Sequence, residues 1–169
     1  MSEEEKKTLT IRKKEMLAPT TGKKLPSKEV ISDLTCRKLI QEATKAMQNS
    51  YAPYSSFQVG ACLLAKSKKM YTGCNVENVA FSPSNCAERT AFFKAVSEGE
   101  REFTAIAVVG GKKGIIRDYC PPCGVCRQVM LEFCDPNAFF IILAKSEADY
   151  WIYPLSDLLP VGFAPSQDL

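Results

Sequence analysis

The chain has 169 residues, 46% of them hydrophobic and 24% charged, with a formal net charge of +3 and no histidine. That size suits one compact domain with a single core and leaves no room for a second. The missing histidine excludes serine–histidine and cysteine–histidine catalysis and any histidine-bound metal, and so small a charge gives no electrostatic case for nucleic acid or a membrane surface.

Residues 1–30 read as a charged N-terminal extension, because Ser2-Glu3-Glu4-Glu5-Lys6-Lys7, Arg12-Lys13-Lys14 and Lys23-Lys24 mix both signs and offer little to bury. The acidic start argues against a transit peptide, and no signal pattern is visible. The longest apolar run, near Phe139 to Ala144, is far too short to cross a bilayer, so the expected setting is reducing and cytoplasmic. Cysteines that cluster in such a setting point to metal binding. The scattered Cys36, Cys62, Cys74 and Cys134 are expected to be small buried hydrophobes.

The domain proper is expected over residues 31–169. From Ser32-Asp33 onward, Leu34, Leu39, Ile40, Ala43 and Met47 follow a helical period, with Ser32 or Asp33 as N-cap, until Tyr51-Ala52-Pro53-Tyr54 ends the helix. Val59 to Ala65 and Met70 to Cys74 read as strands joined by the turn Lys66-Ser67-Lys68-Lys69. Helices are expected over Cys86 to Ser97 and Cys123 to Phe133, strands over Ala105 to Val109 and Phe139 to Leu143, and an edge strand over Tyr150 to Tyr153. This order points to an α/β layered domain with helices packed on a mixed sheet.

The chemistry concentrates in Cys86-Ala87-Glu88 and Pro122-Cys123-Gly124-Val125-Cys126. Three thiolates and one carboxylate are the inventory for a zinc ion with an open coordination position and an acid/base beside it. Each expected helix begins at a ligand, and a helix N-terminus favours thiolate over thiol. Three thiolates and one divalent zinc add about −1, which leaves the protein nearly neutral. Cys120 would complete a four-cysteine structural site, the non-catalytic alternative of a zinc-stabilised binding module, but such a module gives Glu88 no task. At an arbitrary helix start Glu88 would be an ordinary first-turn glutamate. Asn75 and Glu77 are two apart, and on a strand both face one way. An amide beside a carboxylate makes a clamp for ribose hydroxyls, although the pair alone reads equally as a polar strand end.

Together, Gly73-Cys74-Asn75-Val76-Glu77-Asn78, Cys86-Ala87-Glu88-Arg89-Thr90-Ala91 and Pro122-Cys123-Gly124-Val125-Cys126-Arg127-Gln128 closely resemble the cytidine deaminase family in its small homotetrameric form. Ala52-Pro53-Tyr54-Ser55-Ser56-Phe57 and Leu158-Leu159-Pro160 extend the likeness, which runs from about Leu34 to the C-terminus. The resemblance implies a three-layer α/β/α fold on a mixed sheet of about five strands, with Zn2+ as cofactor on Cys86, Cys123 and Cys126. Glu88 becomes the general base that takes a proton from water and delivers it to N3 of a cytosine ring as C4 is attacked, with loss of ammonia. It further implies sugar contacts by Asn75 and Glu77, a base wall at Phe57, a substrate contact at Ala87, damping of sulfur charge by Arg89 and Arg127, and Phe163 reaching into a neighbour's site.

The implied activity is zinc-dependent deamination of cytidine and deoxycytidine in pyrimidine salvage. Glu77 and the lack of a Gly-rich phosphate loop favour a nucleoside over a nucleotide. A deaminase of another amino-pyrimidine is the runner-up, and the sugar clamp argues against it. The chain departs from the family at Phe81, where some members carry tyrosine, and at Cys120-Pro121-Pro122, where relatives commonly have an apolar residue, serine and proline.

Overall fold

A computed structural model describes residues 31–163, so the charged extension expected over residues 1–30 lies outside the described residues. Helix α1, Asp33–Met47, starts where expected: the Ser32 hydroxyl caps it by accepting from Thr35 N at 3.2 Å, and Cys36, Leu39, Ile40, Ala43 and Met47 form its buried stripe. The chain then builds β1 (Phe57–Ala65), β2 (Met70–Cys74), α2 (Ala87–Ser97), β3 (Phe103–Lys112), α3 (Gly124–Phe133), β4 (Phe140–Ser146), β5 (Asp149–Pro154) and a short α4 (Leu155–Leu158).

The five strands form one sheet in the order β2-β1-β3-β4-β5. Only β3 and β4 run parallel; the other pairs are antiparallel, so the sheet is mixed. Strand alternation divides the core between its two faces. Cys62, Leu64, Ala105, Ala107, Val109, Ile142 and Ala144 pack with α1 on one face. Ala61, Leu63, Ile106, Val108, Ile141 and Leu143 pack with Ala91 and Phe92 of α2 and Met130 of α3 on the other. The expected three-layer α/β/α arrangement is therefore present. Burial on both faces explains why β1, β3 and β4 read as near-continuous apolar runs.

One glycine matters for where the site sits. A β-carbon on Gly73 of β2 would lie 2.4 Å from Ala87 O and 2.6 Å from Ala91 N, so its absence lets the first turn of α2 rest directly on the strand. Thr90 fastens that contact, its hydroxyl donating to Cys74 O at 3.0 Å and Cys86 O at 3.1 Å. Cys86 is thereby held at a fixed height above the sheet.

Cys36, Cys62 and Cys134 are buried as expected, but Cys74 is only partly covered. It ends the edge strand β2, and its thiol reaches Asn49 O at 3.4 Å instead of entering the core. No described helix is long and apolar enough to cross a membrane.

Candidate active site

Two helix starts meet above the sheet, and each carries a cysteine as its N-cap. Cys86 precedes α2 and Cys123 precedes α3, both with extended backbone and neither using its side chain to cap. Their sulfurs are thus free to point outward from the helix ends, and Cys126, one turn into α3, faces back toward them. The Cys86 and Cys123 sulfurs are 3.9 Å apart and those of Cys123 and Cys126 are 3.5 Å apart. All three ligand atoms lie within 4.8 Å of one another. Tetrahedral zinc with Zn–S bonds of about 2.3 Å spaces its sulfurs by roughly 3.8 Å. The donor set therefore fits zinc in both chemistry and spacing. Among the described residues this is the group placed to hold a metal, and Cys120 does not belong to it.

The charges in the cluster are unequal. A hydrogen bond from Cys126 chiefly holds the Cys86 thiol below its ordinary pKa, with Arg89 and Cys123 assisting. Cys126 goes the other way, because it donates to Cys86 and is desolvated. Arg89 Nη2 lies 3.7 Å from Cys86 Sγ and also donates to Ser84 O at 3.1 Å, which fixes it beside the sulfur. Arg127 is used differently: its Nε donates to Pro122 O at 2.8 Å and its Nη1 to Leu158 O at 2.7 Å. It ties the loop before α3 to α4 through main-chain oxygens.

Glu88 is the charged side chain found buried among the described residues, at 4% exposure. It stands in the first turn of α2, two residues from Cys86. Burial raises its pKa to about 7, and the negative charge at Cys86 pushes in the same direction. A carboxyl group sequestered beside three sulfurs, with no salt bridge among the described residues, makes Glu88 a candidate site group. Ala87, beside it, is fully buried. Cys120 packs at the edge of the same core, where burial first and then Glu88 and Cys86 push its thiol up to about 12.

The expected sugar clamp sits just beyond β2, not on it. The β2 ladder ends at Cys74, and only Val76 continues it, as single bridges to Tyr51 and Asn85. Asn75 and Glu77 nonetheless face the same neighbour, the segment from Ser50 to Val59 that leads into β1. Asn75 Oδ1 accepts from Val59 N at 2.8 Å and from the Ser50 hydroxyl, and its Nδ2 donates to Phe57 O at 2.9 Å. Glu77 accepts from Tyr54 N at 2.9 Å, Ser55 N at 3.2 Å and the Ser55 hydroxyl. The Ser55 hydroxyl in turn accepts from Phe57 N at 2.9 Å. These bonds, led by that from Ser55, hold the Glu77 carboxyl below its usual range. Each side chain keeps spare capacity: one N–H on Asn75 and lone-pair directions on Glu77.

Ser55 links Glu77 to the start of β1. The only sequence signal for this link was the place of Ser55 in Tyr54-Ser55-Ser56-Phe57, since its partner Glu77 is 22 residues away. Phe163 stands apart from the cluster, 87% exposed, with its carbonyl accepting from Gln128 Nε2 at 2.6 Å.

Comparison with known proteins supplies the context for this geometry. The profile of the cytidine and deoxycytidylate deaminase zinc-binding region matches residues 35–142. A cytidine deaminase of Sporosarcina psychrophila is 49% identical over 127 residues, which is 75% of this chain and 90% of that protein. Another, of Halalkalibacterium halodurans, is 48% identical over 74% of this chain and 91% of its own length. The crystal structure of cytidine deaminase from Burkholderia pseudomallei superposes with a TM-score of 0.68 at 44% identity, covering 75% of this chain and 97% of that one. The zinc-binding profile spans both cysteine motifs and the glutamate between them, and with these relatives it makes this chain a member of the cytidine deaminase family.

Proposed function

We propose that the protein hydrolyses cytidine and deoxycytidine to uridine and deoxyuridine with release of ammonia, serving pyrimidine salvage in the cytoplasm as a homotetramer. The observation that carries the reaction is the buried Glu88 beside a three-thiol cluster at two converging helix N-termini. Cys86, Cys123 and Cys126 would hold the zinc, which would supply Lewis acidity for activating water near neutral pH. Glu88 takes one proton from the attacking water and passes it to N3 of the base; it then moves the second to the departing amino nitrogen. One water enters, and ammonia and the uridine product leave, so the carboxylate ends as it began. Burial keeps Glu88 from exchanging its proton with bulk solvent during the transfer. Ala87, in the same first turn, has a main-chain N–H with no helical acceptor of its own and serves as a base contact. Arg89 offsets sulfur charge, and Arg127 fixes the loop that carries Cys123.

Purified protein mixed with cytidine should show the ultraviolet change that follows loss of the amino group. Turnover of free cytosine but not of cytidine would overturn the reading.

Asn75 and Glu77 are assigned to the sugar hydroxyls, because the donor and acceptor capacity left after their internal bonds matches what a hydroxyl requires. Glu77→Gln replaces a charged acceptor with a neutral amide and loosens Ser55 and Tyr54 as well. We expect its KM for cytidine to rise about tenfold or more, the cost of a lost charge-assisted bond. Steady-state kinetics provide the check, and an unchanged kcat/KM would remove Glu77 from the sugar site.

Phe163 supports the assembly. Its ring is 87% exposed within one chain, and burying such a side chain against a neighbour is worth roughly 1.5–3 kcal/mol. If it completes the base pocket of another copy, oligomerisation and substrate capture are linked. Phe163→Ala should then raise KM at full zinc content, and the wild-type protein should scatter light as a tetramer. A fully active monomer would refute the shared site.

A further inference from the structure

Phe57 opens β1, and in the register of β1 against β3 its second neighbour, Val59, lies directly opposite Gly110. Alternation puts Phe57, Val59 and Gly110 on one face of the sheet, the face shared by Ala61, Ile106 and Val108 and covered by α2 and α3. That is also the face of the thiol cluster and Glu88. The main chain of Phe57 is pinned at both ends, its N–H by Ser55 and its carbonyl by Asn75. Its ring is pinned at one place more. A β-carbon on Gly110 would lie 2.8 Å from Cys120 Sγ, 3.2 Å from Cys120 Cβ and 3.1 Å from Phe57 Cε1. The ring and the thiol thus occupy together the space that any side chain at position 110 would need. Gly110 has no unusual backbone angle, so what its glycine supplies is room.

We propose that Gly110 and Cys120 are positioning residues of the base pocket: the seat left by Gly110 lets the Phe57 ring and the Cys120 thiol pack together, and that pair sets the width of the pocket beside Glu88. The inference rests on the reading of Phe57 as the wall for the pyrimidine. It also gives Cys120, which stands outside the zinc cluster, a task. Adding a methyl group at position 110 displaces the thiol and the ring toward the substrate, because the closest obstacles on that side are these two groups and the strand behind cannot retreat from its paired ladders. The pocket narrows while Glu88 and the three ligand cysteines stay where they are.

The test is a rescue experiment on the full chain with cytidine as substrate. Gly110→Ala should raise KM about tenfold, with kcat within about threefold of wild type and one zinc per chain. Adding Cys120→Ala to Gly110→Ala removes the atom nearest the new methyl group and should bring KM back to within about threefold of wild type. Cys120→Met, which crowds the same seat from the other side with Gly110 intact, should raise KM as Gly110→Ala does, and it keeps the idea testable if Gly110→Ala does not fold. An unchanged KM in Gly110→Ala or in Cys120→Met would overturn the proposal, as would a double variant no better than Gly110→Ala alone. Phe57→Ala separates this failure from that of the underlying reading. If Phe57→Ala leaves KM unchanged, Phe57 is not the base wall; if it raises KM while the Gly110 and Cys120 variants do nothing, only the seat is wrong.

Discussion

Glu88→Gln should fold, keep its zinc and lose nearly all turnover. The amide matches the carboxylate in shape and can still accept a hydrogen bond, but it cannot take a proton from water and hand it on. Acid/base groups typically contribute about 10²–10⁴-fold, and here one side chain serves transfers at the water, at N3 and at the amino nitrogen, so the loss should reach the upper end of that range. Stability should not suffer. In the wild type a carboxyl group is held at 4% exposure with its pKa raised by burial, which costs the fold whenever the group is ionised. The neutral amide removes that cost, so the melting temperature should hold or rise while activity falls. Calorimetry and the ultraviolet assay on one preparation check both halves. Retention of more than about a tenth of wild-type activity would remove Glu88 from the mechanism.

The parts of the site that were legible in the sequence are those set by local spacing along the chain. The cysteines at 86, 123 and 126 could be read as a set because they fall in two short motifs, Cys86-Ala87-Glu88 and Pro122-Cys123-Gly124-Val125-Cys126, with Glu88 two residues from one of them. These are local relations, and spacing along the chain fixes them. The fold was legible for a similar reason: β1, β3 and β4 are apolar on both faces, a pattern that two layers of helices produce.

What the sequence did not disclose is long-range. Asn75 and Glu77 look like alternate residues of a strand, yet β2 stops at Cys74 because the main chain turns away to bond with Tyr51 and Val59. Their side chains then serve the segment from Ser50 to Val59, and Ser55 becomes the hinge of that network through a partner 22 residues off. Arg127 shows the same limit. Its side chain bonds the carbonyls of Pro122 and of Leu158, 31 residues downstream, a partner that local spacing does not announce. The start of β1 at Phe57, two residues earlier than its apolar pattern suggests, follows from pairing with Gly111 and Lys112. Nothing in Phe57-Gln58 itself announces that pairing. Helix α4, four residues long, completes only about one turn, too little for a period to register.

Removing one ligand cysteine should have an effect as large as removing the base, with the opposite consequence for stability. Cys126→Ala leaves two sulfurs at the N-termini of α2 and α3, too few to hold zinc against exchange with solvent. The zinc content should fall well below one per chain, and activity should fall below detection. Because metal bound only by the folded state stabilises by mass action, each factor of ten by which free zinc exceeds its Kd adds about 1.4 kcal/mol to the wild type, and this contribution disappears in the variant. The melting temperature of wild type should therefore drop on chelation, while that of Cys126→Ala should barely move. Cys120→Ala is the control for the ligand set. Its sulfur lies outside the group of three, so X-ray absorption should find the same three sulfurs around zinc as in wild type, with one zinc per chain. Loss of a sulfur from the zinc shell in Cys120→Ala would mean a closed four-thiolate site, and the open position that the reaction at Glu88 requires would no longer exist.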